Sequence, residues 1–172
     1  AYWNRYVAVT EMGGHGKFSD SRISLDIDNT GGGADLVTDK LPALQAYQFS
    51  IAAPQAPAGS FDATAAARGK ILFNNKAQCA TCHSGPRFTD VTNGGMLHPQ
   101  SASVATDKDY VKRSATKQWR VTPLKGIWQH APYFHDGSAA TLAAVVEKYN
   151  TSENLGLTSE EKADLTEYLK SL

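Results

Sequence analysis

The sequence predicts an all-α domain with long irregular loops, preceded by an N-terminal extension. Three observations carry this. Segments near residues 60–76, 141–150 and 157–172 repeat their apolar residues at helical spacing. The stretch between the first two, residues 84–140, is rich in Gly, Pro, Thr and Asp and holds no convincing strand. A Pro/Ala segment, "AAPQAPAG" at residues 52–59, separates all of this from what precedes it. Such a composition is extended and stiff. The boundary is therefore set there, with an arm over residues 1–59 and the main domain over residues 60–172.

Residues 1 to about 40 of the arm show little periodicity. "DIDNTGGGADLVTD" is a turn-rich loop in which Gly31, Gly32 and Gly33 are free to take positive φ. It loosely resembles a calcium loop, but Val37 stands where such a loop needs a bidentate Glu, so a solvated turn is expected. "LPALQAYQFSI" reads as a helix with Pro42 in its first turn and Leu44, Tyr47 and Ile51 at helical spacing.

The main domain opens with "SFDATAAARGKILFNNK". Ser60 is placed to cap this helix, with Asp62 in its first turn. Ala65, Gly69, Leu72 and Phe73 share a face. A glycine inside a helix costs about 1 kcal/mol relative to alanine, so Gly69 predicts a second helix crossing close against it. The expected partner is the last segment, where Thr158 and Glu161 form a capping box and Leu165, Tyr168, Leu169 and Leu172 form an apolar stripe. The third helix is "TLAAVVEKYN", capped by Thr141, with Leu142, Val145, Val146 and Tyr149 on one face. An irregular middle of this length is unusual in a compact domain unless its loops wrap a large rigid cofactor.

Composition narrows the function. The chain has 172 residues, long enough for a core without staples. Seventeen basic residues balance seventeen acidic ones, which gives no sign of an electrostatic nucleic-acid binder. No apolar run is long enough to span a bilayer. The chain begins "AYWNRYVAV", without methionine, and a processed or partial product is expected.

Both cysteines fall in "KAQCATCHSGPRFTD". A disulfide between Cys79 and Cys82 closes a small loop and leaves His83 unexplained. A structural zinc site needs four ligands, and the sequence lacks a matching His pair. A thioredoxin-like pair belongs in a βαβ context, whereas this one follows a helix. C-x-x-C-H is the signature of c-type haem, with two sulfurs for the porphyrin vinyl groups and His83 as fifth iron ligand. One covalent haem c is therefore expected. Pro86 lies in an "SGP" turn placed to supply the carbonyl that a metal-bound His83 needs for its other ring N–H.

"ARGKILFNNKAQCATCHSGPRFTD" resembles the haem-attachment helix and loop of bacterial c-type cytochromes. "RVTPLKGIWQHAPYFHDGSAATLAAVVEKYN", residues 120–150, is similar to the C-terminal haem domain of the bacterial di-haem cytochrome c peroxidases. That superfamily includes the di-haem enzyme that matures methylamine dehydrogenase. The resemblance covers residues 60–172 and implies a cytochrome c-like fold, a periplasmic location and a redox protein or second haem domain as partner. Family members carry two haems and this chain holds one C-x-x-C-H. The expectation is a second half of a di-haem protein whose gene also encodes a signal peptide and an upstream haem domain; a mono-haem relative is the alternative. An electron-transfer domain is expected first, a peroxide-activating haem enzyme second, and a haem kept as a folding nucleus third.

The sixth ligand decides between them. Resemblance places Tyr149 where the peroxidases carry a methionine and the maturation enzyme a ligating tyrosine, and helical spacing turns Tyr149 inward. His98 follows as candidate, then Met96; His130 is also considered, and His15 is expected to be exposed. His135 matches a distal-side histidine of the family, which implies hydrogen bonding, with Asp136 either orienting its ring or starting the turn at Gly137. Arg120, Arg87 and Lys125 are candidate partners for haem propionates. Trp119 and Trp128 are expected in packing, or on an electron path.

Overall fold

The computed structural model describes residues 14–15, 17–20, 25–28, 35–91, 97–99, 104–107, 109–113 and 116–172. Met96 and the Gly31–Gly33 run lie outside the described residues. The chain divides into two units, residues 1–52 and 53–172.

In the first unit, strands β1 (Lys17–Asp20) and β2 (Leu25–Asp28) pair antiparallel, with Lys17 opposite Asp28 and Asp20 opposite Leu25. The carboxylate of Asp35 accepts from the amides of Val37 and Thr38, both at 2.9 Å, and starts a 3-10 turn over Thr38–Lys40. Helix α1 (Leu41–Ser50) follows with Pro42 in its first turn. None of its residues is buried, and Tyr47 and Phe49 are 65% and 69% exposed. His15 is half-buried rather than exposed.

The second unit is built on α2 (Ala63–Asn74), α3 (Leu142–Ser152) and α4 (Ser159–Lys170). Asp62, not Ser60, caps α2: its Oδ1 accepts from the amides of Thr64 and Ala65 at 2.8 and 2.9 Å. The Ser60 hydroxyl instead donates to the Pro57 carbonyl. Thr141 caps α3 through the Ala144 amide at 3.1 Å. The capping box of α4 is complete, with Thr158 Oγ1 accepting from the Glu161 amide and Glu161 Oε2 from the Thr158 amide.

Helices α2 and α4 cross at Gly69. A Cβ added there would lie 2.0 Å from the Asp164 carbonyl oxygen and 2.8 Å from the Tyr168 Cβ. The crossing buries Ala65, Ala66 and Phe73 of α2 against Leu165, Tyr168 and Leu169 of α4. Phe73 and Tyr168 meet edge to face at 5.3 Å. Burying a side chain of this size contributes roughly 1.5–3 kcal/mol. Asp164, 6% exposed, is satisfied by both Nε and a terminal nitrogen of Arg68, at 2.7 and 2.6 Å. Leu142 and Val146 of α3 complete the core.

The middle of this unit is held by short contacts. Strands β3 (His98–Pro99) and β4 (Gln118–Trp119) form one antiparallel pair. Tyr133 and Ala139 form a bridge that closes the loop between them. Among the described residues no helix is long and apolar enough to cross a membrane. The fold is mostly helical and cytochrome c-like, with two small strand pairs that the sequence expectation lacked.

Candidate haem site

Helix α2 ends at Asn74, and Gln78 turns the chain with a φ of 52°. Cys79–Thr81 then form a single 3-10 turn. The amides of Cys82 and His83 both donate to the Cys79 carbonyl, at 3.3 and 2.9 Å. This turn compresses two sulfurs and one imidazole into the start of one loop. Both cysteines are free thiols and half-buried. Burial pushes the Cys79 thiol up to about 11, and the nearby Cys82 adds to the rise. A thiol so reluctant to ionise is poorly suited to a thioredoxin-like exchange, which needs thiolate.

His83 is half-buried, and its Nδ1 lies 3.0 Å from the Phe88 carbonyl oxygen. A carbonyl only accepts, so the hydrogen sits on Nδ1 and the lone pair on Nε2. Burial lowers the His83 pKa, with the Phe88 carbonyl opposing, so the ring is held neutral. The bonding carbonyl thus belongs to Phe88 and not to the Ser84–Pro86 turn. Pro86 is exposed, in the turn that carries Phe88 back: the Phe88 amide donates to the Gly85 carbonyl at 3.1 Å. Phe88 takes a φ of 56° while its ring meets Phe73 edge to face at 6.1 Å.

Tyr149 stands on α3, half-buried. Burial pushes its phenol up to about 12, with smaller contributions from Cys79, Cys82 and Glu153. Tyr149 therefore lies within electrostatic reach of both cysteines. His98 is also near, on a different footing: its Nε2 is 2.7 Å from Asp90 Oδ2. One ligand atom each from Cys82, Asp90 and His98 lie within 4.8 Å of one another. No spacing rule in the sequence predicts this Asp90–His98 pair.

The remaining candidates are more peripheral. His135 is exposed and packs on Trp119, with ring centroids 4.6 Å apart. Asp136 accepts from the amides of Asp107 and Ser138, at 2.7 and 3.0 Å, which is a loop-closing role. Arg120, Arg87, Lys125 and His130 are exposed. Trp128 is half-buried in a 3-10 turn over Ile127–Gln129, and its Nε1 is buried without a hydrogen-bond partner among the described residues.

These residues fit a c-type haem. Two free thiols and a neutral imidazole share one turn, and the half-buried Tyr149 phenol lies within electrostatic reach of the cysteines. This donor set would suit such a haem, with Cys79 and Cys82 as attachment thiols and His83 as a nitrogen donor to iron.

The family described as RoxA-like, cytochrome c-like matches residues 119–152, a stretch that includes His135 and Tyr149. The cytochrome-c peroxidase IdrP1 of Denitromonas iodatirespirans is 27% identical, over 79% of this chain and 50% of that protein. The methylamine utilization protein MauG of Methylorubrum extorquens is 31% identical, over 62% of this chain and 33% of that protein. A crystal structure of a MauG-like protein associated with microbial copper homeostasis is 25% identical with a TM-score of 0.50, over 67% of this chain and 48% of that one. The chain spans half or less of the length of these relatives. Its cytochrome c-like domain is similar to those of the di-haem cytochrome c peroxidase and MauG superfamily.

Proposed function

We propose that this chain binds one haem c and serves as an electron-transfer domain, the second half of a di-haem peroxidase-like protein. The observation that carries the reading is the single turn that gathers Cys79, Cys82 and His83, with His83 Nδ1 held by the Phe88 carbonyl. Cys79 and Cys82 would hold the haem by adding their thiols across its vinyl groups, sulfur to one carbon and proton to the other, with no oxidant consumed. His83 offers Nε2 as one axial donor, held in tautomer by the Phe88 carbonyl. Tyr149 offers the other, and His98 is the substitute next in line.

When bound, the haem supplies one-electron exchange at iron, and the protein residues set how open that iron is. Axial donors on both sides favour electron transfer. Covalent attachment belongs outside the bacterial cytoplasm, so we assign the chain to the periplasm. Its redox partner is a second haem domain, in keeping with relatives twice as long or longer. A second reading, peroxide activation at this haem, draws on relatives that are named cytochrome-c peroxidases. It requires that Tyr149 leave the iron exchangeable.

The test is attachment followed by spectroscopy. The purified chain should keep its haem through denaturation and acid–acetone extraction, and Cys79→Ala with Cys82→Ala together should release it. The ferric protein should be low spin in absorption and paramagnetic resonance spectra. A high-spin spectrum with rapid peroxide reaction would select the peroxidase reading. A chain without haem that took up stoichiometric zinc, for which Cys82, Asp90 and His98 are the nearest donor set, would overturn both.

A further inference from the structure

The loop from Tyr133 to Ala139 is closed at its base, where the Tyr133 amide donates to the Ala139 carbonyl at 2.7 Å. Two residues inside it take left-handed backbone, Phe134 at φ 65° and Gly137 at φ 66°. Glycine enters that region freely, and a bulky aromatic residue does not. The turn itself needs no side chain at residue 134. What the phenylalanine adds is a ring in a fixed place, and strain of this kind gathers around functional groups.

That ring has two defined neighbours. The Tyr149 ring lies 6.1 Å away at 50°, and Lys148 Nζ lies 5.5 Å from the Phe134 centroid. The ammonium is itself pinned, since it donates to Thr106 Oγ1 and Ser138 Oγ, each at 2.9 Å. Ser138 is in turn held by Asp136, which also takes the Asp107 amide. The Phe134 ring is thus anchored by backbone geometry and a fixed cation. The hydroxyl of the half-buried Tyr149, by contrast, makes no hydrogen bond among the described residues. Its direction is left to ring packing.

We infer that Phe134 is a positioning residue for Tyr149: its anchored ring fixes the plane of the Tyr149 ring. The inference rests on the proposed ligand role of Tyr149. It differs from it in that Phe134 touches no reacting atom and acts only through the Tyr149 ring. Lys148 does double duty, since it holds the Phe134 ring and ties the 104–107 segment to the same loop.

The test compares ferric holoproteins of Tyr149→Phe, Phe134→Gly and Phe134→Tyr by absorption, paramagnetic resonance and thermal unfolding. Tyr149→Phe should abolish the phenolate-to-iron absorption. Phe134→Gly removes the ring and relieves the left-handed strain, so it should lose most of that absorption, with broadened resonance lines, while unfolding close to the wild-type temperature. Phe134→Tyr restores a ring and should restore the signal. A Phe134→Gly protein with the full phenolate signal would overturn the positioning role and leave the ligand role standing. Loss of signal and of thermal stability together in both Phe134 variants would mean a collapsed loop, and would also overturn it. An unchanged spectrum in Tyr149→Phe would remove the ligand reading, and this inference with it.

Discussion

The Nδ1–H of His83 donates to the carbonyl oxygen of Phe88, 3.0 Å away and five residues on. The contact depends on Phe88 holding a left-handed φ of 56° while its ring packs on Phe73. The core of the α2 side therefore reaches, through Phe88, into the tautomer of His83. A histidine whose second nitrogen is so held has its Nε2 aimed by the fold rather than by the metal.

This gives the first prediction. His83→Gly should retain haem through Cys79 and Cys82 but lose the low-spin ferric spectrum. Added imidazole should restore it. An untethered ring lacks the effective concentration that the loop provides, so restoration should need imidazole on the order of millimolar. Titration of the absorption spectrum checks this, and an unaltered spectrum in His83→Gly would remove the residue from the iron.

Gly69→Ala should destabilise the chain. Alanine raises helix propensity by about 1 kcal/mol over glycine. Against that, its Cβ would sit 2.0 Å from the Asp164 carbonyl oxygen, a backbone atom of α4 that cannot swing aside. Overpacking of this kind costs roughly 3 kcal/mol or more where backbone must move. The clash wins by about 2 kcal/mol, which lowers the unfolding midpoint by about 5 °C in a domain of this size. Differential scanning of the holoprotein measures it.

Much of this scaffold was legible in the sequence because it depends on local rules. The Thr158–Glu161 capping box, the Thr141 cap and the helix crossing at Gly69 all follow from residue chemistry within one turn. Ser60 and Asp62 both cap well, and only the Pro57 turn decides that Asp62 takes the helix end. Strands of four residues, such as Lys17–Asp20 and Leu25–Asp28, are too short to show a period of two. At the site, Cys79, Cys82 and His83 are legible as a pentapeptide. The Phe88 carbonyl, the Asp90–His98 pair and the Phe134 ring are not, because no local residue pattern sets any of them.

Acid should loosen the loop that carries Phe134. Backbone amides of Asp107 and Ser138, the Asp107 contact foremost, hold the Asp136 carboxyl well below the usual carboxylate range. A depressed folded-state pKa gives stability that is present above the unfolded value of about 3.9 and is lost as pH falls below it. Wild-type protein should therefore lose stability between about pH 5 and pH 2 more steeply than Asp136→Asn. Thermal unfolding across that range checks the slope; parallel curves for the two proteins would show that Asp136 carries none of the acid sensitivity.

The final prediction concerns the reduction potential. A phenolate is a hard anionic donor and stabilises Fe(III) over Fe(II). Burial pushes the Tyr149 phenol up to about 12, so the side chain does not ionise at neutral pH by itself, and its service as phenolate depends on ferric iron. Tyr149→Phe keeps the ring against Phe134 and deletes the donor, so the midpoint potential should rise. Axial ligands span about 0.8 V in proteins, and the exchange of an anionic for a neutral or absent ligand should account for on the order of 0.1 V of that. His98→Ala is the control. His98 is tied to Asp90 at 2.7 Å and lies beside Cys82, so it can take the vacated position only by giving up that bond or by turning its other nitrogen. With Tyr149 as ligand, His98→Ala alone leaves the potential and the low-spin spectrum in place, and the double variant is high spin. A potential that moves in His98→Ala and stays fixed in Tyr149→Phe would assign the sixth position to His98. Spectroelectrochemical titration of the three variants separates these outcomes.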